Sequence, residues 1–206
     1  MIHSGVNKGT PANIPFGAGV YFQGITYDEK VAPAEAAIKA AIIGATQDGG
    51  SLNITPEFFT PEIDGVHVKM KELQEKVGET AIMETSFVEL TSDLAMKTVI
   101  GELNDSTDGE YDVITSSSNM EAGHFYEGFG FYGKHLDGRP IIVLFKNAFC
   151  SSGFSTEPKN KTNSVFKGTF ECVSDVEYST VKLPYAIFIK KANSWTPVDP
   201  DEVAAE

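Results

Sequence analysis

Along most of the chain apolar and polar residues alternate with a period of two, the signature of strands with one buried face. Val66, Val68 and Met70 alternate with His67, Lys69 and Lys71, which predicts a half-buried strand after an Ile63-Asp64-Gly65 turn. Leu73 to Gly78 is charged and reads as an exposed loop, followed by a strand from Thr80 to Leu90. Pro140 to Cys150 is apolar at nearly every position, as expected of a strand covered on both faces. Phe166, Phe170 and Cys172 then alternate with Lys167, Thr169 and Glu171, and a last strand places Val181, Leu183, Tyr185, Ile187 and Ile189 on one face. One stretch keeps a clear helical period, Ser92 to Ile100. Thr91, Ser92 or Asp93 can cap it, Leu94, Met96, Val99 and Ile100 form its apolar side, and Gly101 suits the left-handed exit.

Other segments send mixed signals. Pro33 followed by Ala34 to Ala41 suits a short helix, after which Ile42 to Thr46 and Ser51 to Thr55 read as two strands joined by an Asp48-Gly49-Gly50 turn. Gly9 to Tyr27 contains no charged residue. It is either an edge strand packed on its own domain or an arm covered by a neighbouring subunit. Asn104 to Asp112 is a polar turn cluster, Tyr111 to Thr115 a strand, and Phe125 to Tyr132 aromatic and rich in glycine. About nine strands and one firm helix predict a mainly β (α+β) fold, a β-sandwich or barrel-like core with one flanking α-helix.

Composition narrows the function. In 206 residues there are 16 Lys plus Arg against 29 Asp plus Glu, a net charge of −13, which argues against a basic nucleic-acid reader. A chain of this length buries enough surface to fold without a disulfide or metal. Cys150 and Cys172 are too few for a disulfide framework, and both read as small buried apolar residues. The opening MIHSGVNKGT lacks the pattern of a secretory signal, and no run of 18 apolar residues occurs, so we expect no membrane and synthesis in a cytoplasm. The sequons at Asn53, Asn104 and Asn160 then carry no meaning.

The chemical motifs are incomplete. Gly128, Gly130 and Gly133 form GxGxxG, but inside an aromatic strand with no helix to hold a pyrophosphate, so we read them as sites of close packing. Asn104, Ser106, Asp108 and Gly109 resemble the front of an EF-hand loop that lacks its closing Glu. His3, His67, His124 and His135 show no metal-ligand spacing, and Glu121 with His124 reads as a loop pair more than an acid/base couple. There is no GxSxG elbow and no Walker loop. We therefore expect no catalytic, cofactor-binding or metal residues.

Several stretches in order resemble the major tail proteins, or tail tube proteins, of long-tailed bacteriophages. They are Asn13 to Gly19, Ile43 to Thr46 with the Gly-rich turn and Ile54 to Phe58, Ile63-Asp64-Gly65, Glu79 to Ile100, and the block Asn147 to Asp175. The resemblance spans about residues 13 to 190. It implies a tail tube fold with an extended N-terminal arm and a long stacking loop, assembled as hexameric rings that stack into a hollow tube in the virion. It further implies tape measure and tail terminator or baseplate proteins as partners, with double-stranded DNA passing through the lumen unbound. An acidic lumen would keep DNA from sticking.

On this reading residues 1–26 are the arm and first strand, 27–192 the tail tube domain and 193–206 an acidic tail. Ile14, Pro15, Phe16, Val20, Tyr21 and Phe22 in the arm, and Leu73, Glu75 and Lys76 in the loop, are the expected inter-subunit contacts. Two alternatives remain. One is another virion component, such as a head-tail connector, baseplate or decoration protein. The other is a carbohydrate-binding or hydrolytic β-sandwich, motivated by Phe125 to Tyr132 with Glu127 and Asp137.

Overall fold

The computed structural model describes residues 14–65, 68–156, 158, 160–161 and 163–194. Among them are nine strands: β1 (Pro15–Phe22), β2 (Thr46–Phe59), β3 (Glu75–Phe87), β4 (Gly101–Asp105), β5 (Asp112–Ser116), β6 (Tyr126–His135), β7 (Pro140–Cys150), β8 (Phe166–Val173) and β9 (Tyr185–Ile189). Two α-helices accompany them, α1 (Glu35–Ala40) and α2 (Ser92–Val99). The fold is mainly β, with α2 as its main helix and every strand pair antiparallel.

Seven strands make one sheet in the order β1-β6-β7-β8-β3-β2, and β4-β5 is a separate hairpin. The large sheet forks at β7. Asn147 to Cys150 pair with β8, while Ile141 to Phe145 pair with β9 along the same edge. The segment before β2 returns to the first strand. Gln23 N–H donates to the Ala41 carbonyl at 3.0 Å and Ile43 N–H to the Tyr21 carbonyl at 3.1 Å, while Val88 N–H reaches Ala45 at 3.0 Å. These bonds link β1 to the β2-β3 side and curl the sheet into a barrel-like body.

The alternation along β7 feeds two cores. Val143 and Phe145 enter an aromatic cluster inside the curl, where the Phe170 ring lies 4.5 Å from Phe129, 5.1 Å from Tyr126 and 6.0 Å from Phe87. Ile142 and Leu144 face the other way, against Phe22 and against Ile38 of α1. The Ala-rich stretch is thus the lid of a second core. Helix α2 sits over the first: Leu94 is buried in it, Thr91 Oγ1 accepts from the Leu94 N–H at 3.2 Å, and buried Thr98 donates to the Leu94 carbonyl at 2.6 Å.

Several local expectations are corrected. Asp48-Gly49-Gly50 does not turn the chain but bulges a single long strand, because Asp48 and Gly49 both take positive φ between the Thr46–Phe87 and Gly50–Thr85 pairs. A side chain at Gly50 would collide with the Tyr21 hydroxyl and the Glu84 carbonyl, which themselves hydrogen bond at 3.1 Å. Of the expected strand at Val66 to Lys71, residues 66 and 67 lie outside the described residues. Val68 to Met70 are irregular, and Lys71–Leu73 form one 3-10 turn. Glu75 to Gly78, expected as loop, already belong to β3. The left-handed exit of α2 is taken by Ile100 (φ 55°), since Gly101 opens β4 where a Cβ would strike the Thr115 carbonyl. A branched residue in that conformation costs about 1–2 kcal/mol. The last strand is shorter than its pattern, with Val181 exposed in a turn. Leu183 and Tyr185 pack against the aromatic core as expected, but Ile187 and Ile189 on the same face are exposed while Ala186 is buried.

Phe170→Ala should lower stability by about 3–5 kcal/mol in urea unfolding, because the ring is fully buried among three other aromatic rings. Gly50→Val should also be strongly destabilising, and its unfolding midpoint checks the bulge geometry.

Candidate functional site

Two features bear on function: the interior chemistry, and what the surface leaves uncovered. His124 is buried, with Nδ1 accepting the Glu121 N–H at 2.8 Å and Nε2 donating to the Gly101 carbonyl at 2.9 Å. Both ring nitrogens are thus committed to backbone, fixing the entry to β6. Glu127 opens that strand opposite Asn147, whereas Asp137 lies in the turn after it, paired to Arg139 at 2.5 Å. Ten residues of extended chain separate these carboxylates by roughly 30 Å. A glycosidase pair needs about 5–10 Å. Glu127 and Asp137 therefore do not form such a pair. Of the aromatic residues in this stretch Tyr126 and Phe129 are fully buried, whereas Phe125, Phe131 and Tyr132 are half-buried.

The glycines of GxGxxG sit in β6. Gly128 has φ 57° and abuts the Ile25 carbonyl, and Gly130 faces the Phe22 ring. Asn104 to Asp112 form the β4-β5 hairpin and its turn, with Tyr111 N–H donating to Ser106 Oγ at 3.0 Å. Among the described residues no three His, Cys, Asp or Glu side chains gather as metal ligands, and no helix is long and apolar enough to cross a membrane. A cavity of about 360 Å³ opens where β1 and β6 splay from β2 and β3, lined by Tyr21, Leu52, Met83, Phe131, Ile141 and Val143. Burial raises the Tyr21 hydroxyl above its ordinary pKa, so it serves as donor to Glu84 and not as a base. Burial likewise pushes the Cys172 thiol up to about 12.

The surface is more informative. Beyond its pairing with the body, the β2-β3 hairpin continues to a tip, residues 58–65 and 68–77, with which no other strand pairs among the described residues. Phe58 (62% exposed), Phe59 (53%), Val68 (70%) and Val77 (60%) lie on it, with Ile63 and Met70 also open. Pro61, Ile63, Val68 and Leu73 line a groove in the loop. Phe58 and Phe59 are consecutive in β2, so the exposed apolar side chains are spread over both faces of the tip. Among the described residues strand β2 has β3 as its only neighbour in the sheet order, so its other backbone edge is unpaired there.

The expected contact residues divide accordingly. Leu73 is half-buried in the 3-10 turn, Glu75 pairs with Phe59 at the tip, and Lys76 is exposed and bridged to Glu79 at 2.7 Å. Ile14 is 42% exposed, and its carbonyl accepts from Leu136 N–H at 2.9 Å. The Pro15 and Phe16 backbone pairs with β6, and their side chains lie outside the described residues. Tyr21 and Phe22 are corrected: both are buried in this chain's own two cores, with Val20 packed beside Phe22. The uncharged segment is therefore an edge strand from Pro15 onward, while residues 1–13 and the tail at 195–206 lie outside the described residues. The signal for the tip was present in Phe58, Phe59 and Val77, but it was hidden by reading Leu73 to Gly78 as a charged loop.

No family profile and no curated protein matches the chain. Among solved structures, a chain from "Virion of native gene transfer agent (GTA) particle" is similar at 9% identity and a TM-score of 0.39, covering 90% of this chain and 100% of its own length.

A thiol reagent at pH 8 should leave Cys172 unmodified in the native protein and label it on unfolding. Phe58→Ser with Phe59→Ser should change the unfolding free energy by no more than about 1 kcal/mol, because both rings are already wet.

Proposed function

We propose that the chain is a non-catalytic structural subunit whose activity is self-association, and that its assembly is the tail tube of a virion. The observation that carries this reading is the apolar β2-β3 tip, held out from a barrel-like body that does not cover it. A long protruding hairpin on a β body is also what the sequence resemblance to tail tube proteins leads one to expect. In this reading subunits close into hexameric rings, rings stack, and the stack is a conduit for double-stranded DNA, with tape measure and terminator or baseplate proteins at its ends. The chain is made in the host cytoplasm. Its net charge of −13 supports a passage that phosphates do not adhere to.

A second reading, a connector, baseplate or decoration subunit, shares the self-association but closes a single ring. Stacking distinguishes them, because a heterologous contact that does not close continues indefinitely.

Concentrated protein imaged by negative stain, beside a light-scattering mass, should show annular hexamers or stacked hollow tubes. Single rings that never stack would favour the connector reading, and a monomer at every concentration would remove both. Removing everything before Tyr27 is a poor test of assembly, since it deletes the strand that β6 pairs with.

A further inference from the structure

The two ends of β3 carry opposite kinds of surface. Its first residues form the hairpin tip, where the returning limb, residues 68–77, holds Lys69, Lys71 and Lys76 against Glu72 and Glu75. That is 3 − 2 = +1 in a chain whose total is −13. The outgoing limb holds Glu57, Glu62 and Asp64, and Lys69 lines the loop groove together with Glu62 and Asp64. Lys76 is bridged to Glu79, whereas Lys69 and Lys71 have no ion-pair partner among the described residues. Val68, Met70 and Val77 stand exposed among them.

Past its last residue, β3 leads through α2 to the β4-β5 hairpin. Residues 101–116 contain Glu102, Asp105, Asp108, Glu110 and Asp112, and no Lys or Arg. Asp105 is directly opposite Asp112 in the ladder, a like-charge pair that destabilises a hairpin left to itself. Leu103 (43% exposed), Tyr111 (68%) and Val113 (37%) open on the same hairpin. This surface lacks cations, and at the other end of β3 two lysines, Lys69 and Lys71, form no ion pair among the described residues.

The geometry points to a head-to-tail contact between copies of this chain, in which the returning limb of one β2-β3 tip docks on the β4-β5 hairpin of the next. The 13 residues of β3, about 40 Å of extended chain, run between the two surfaces, and no ion pair joins them among the described residues. The surfaces differ, and a contact between unlike surfaces at opposite ends repeats in one direction. Each patch is smaller than the roughly 800 Å² per partner of a standard interface. One contact is therefore weak, and several made in parallel between rings reinforce one another. The inference rests on the self-association reading and names the surface that receives the tip.

Charge exchange in the full chain tests it, with light-scattering mass followed against concentration. Lys69→Glu with Lys71→Glu in one variant, and Asp105→Lys with Glu110→Lys in a second, should each weaken association at least about tenfold. Both should keep the wild-type circular dichroism and unfolding midpoint, since all four side chains are exposed. An equimolar mixture of the two variants should assemble as the wild type does, because each reversed tip meets a compatible hairpin. Association that ignores both reversals, or a mixture that is not rescued, overturns the docking while leaving self-association standing. A wild-type protein that remains monomeric overturns both.

Discussion

Strand β7 must satisfy two cores at once, and the rest of the molecule is arranged around that constraint. Val143 and Phe145 belong to the aromatic cluster, and Ile142 and Leu144 to the core under α1. A slip of one residue would exchange every one of these side chains, so the register is fixed from both faces. Three strands share its two edges, and the fork between β8 and β9 lets the β8-β3-β2 portion curve away from the β9 side. The curl encloses Phe170 and its neighbours, and the same curvature brings the chain before β2 back to β1.

That anchoring is unequal along β3. Ile82 to Phe87 pair with β8 as well as β2, and Met83, Thr85 and Phe87 are buried. Glu75 to Ala81 pair with β2 alone. Two-stranded ribbons are marginal in water without a surface to pack on. The hairpin is thus held firmly at its base and weakly at its tip, and the apolar residues are concentrated at the weak end. A partner covering that end would add burial where the fold itself supplies least, so in the proposed assembly contact and local order would be coupled.

The sequence was most readable where a residue's local preference and its tertiary environment agree. Thr91 is a good cap and is used as one. The continuous apolar run of β7 is buried on both sides, as such runs are. It misled where one residue type serves two purposes. Asp48-Gly49-Gly50 has the composition of a turn, but here positive φ makes a bulge and the bare Gly50 makes room for Tyr21. Gly101 has the look of a helix terminator, but its missing side chain is needed against Thr115, and Ile100 takes the strained exit instead. Tyr21 and Phe22 were assigned to a neighbour because their segment lacks charge, a property that a strand inside its own core shares. Ile187 and Ile189 fail for the opposite reason, being apolar yet open. Alternation alone does not say which face of a strand is covered by the same chain.

Charge explains why such a surface would lead to ordered contact instead of aggregation. Bodies carrying −13 repel one another, but at about 0.1 M salt this repulsion is screened beyond roughly 10 Å. At closer range the local pattern decides. An apolar tip approaching an arbitrary acidic surface brings Glu57, Glu62 and Asp64 against more carboxylates, and is turned away. Approach through Lys69 and Lys71 toward a hairpin that holds five carboxylates and no cation is the orientation in which attraction and apolar burial act together. In the proposed contact the acidity of the body would disfavour other orientations, and the lysines of the returning limb would favour this one.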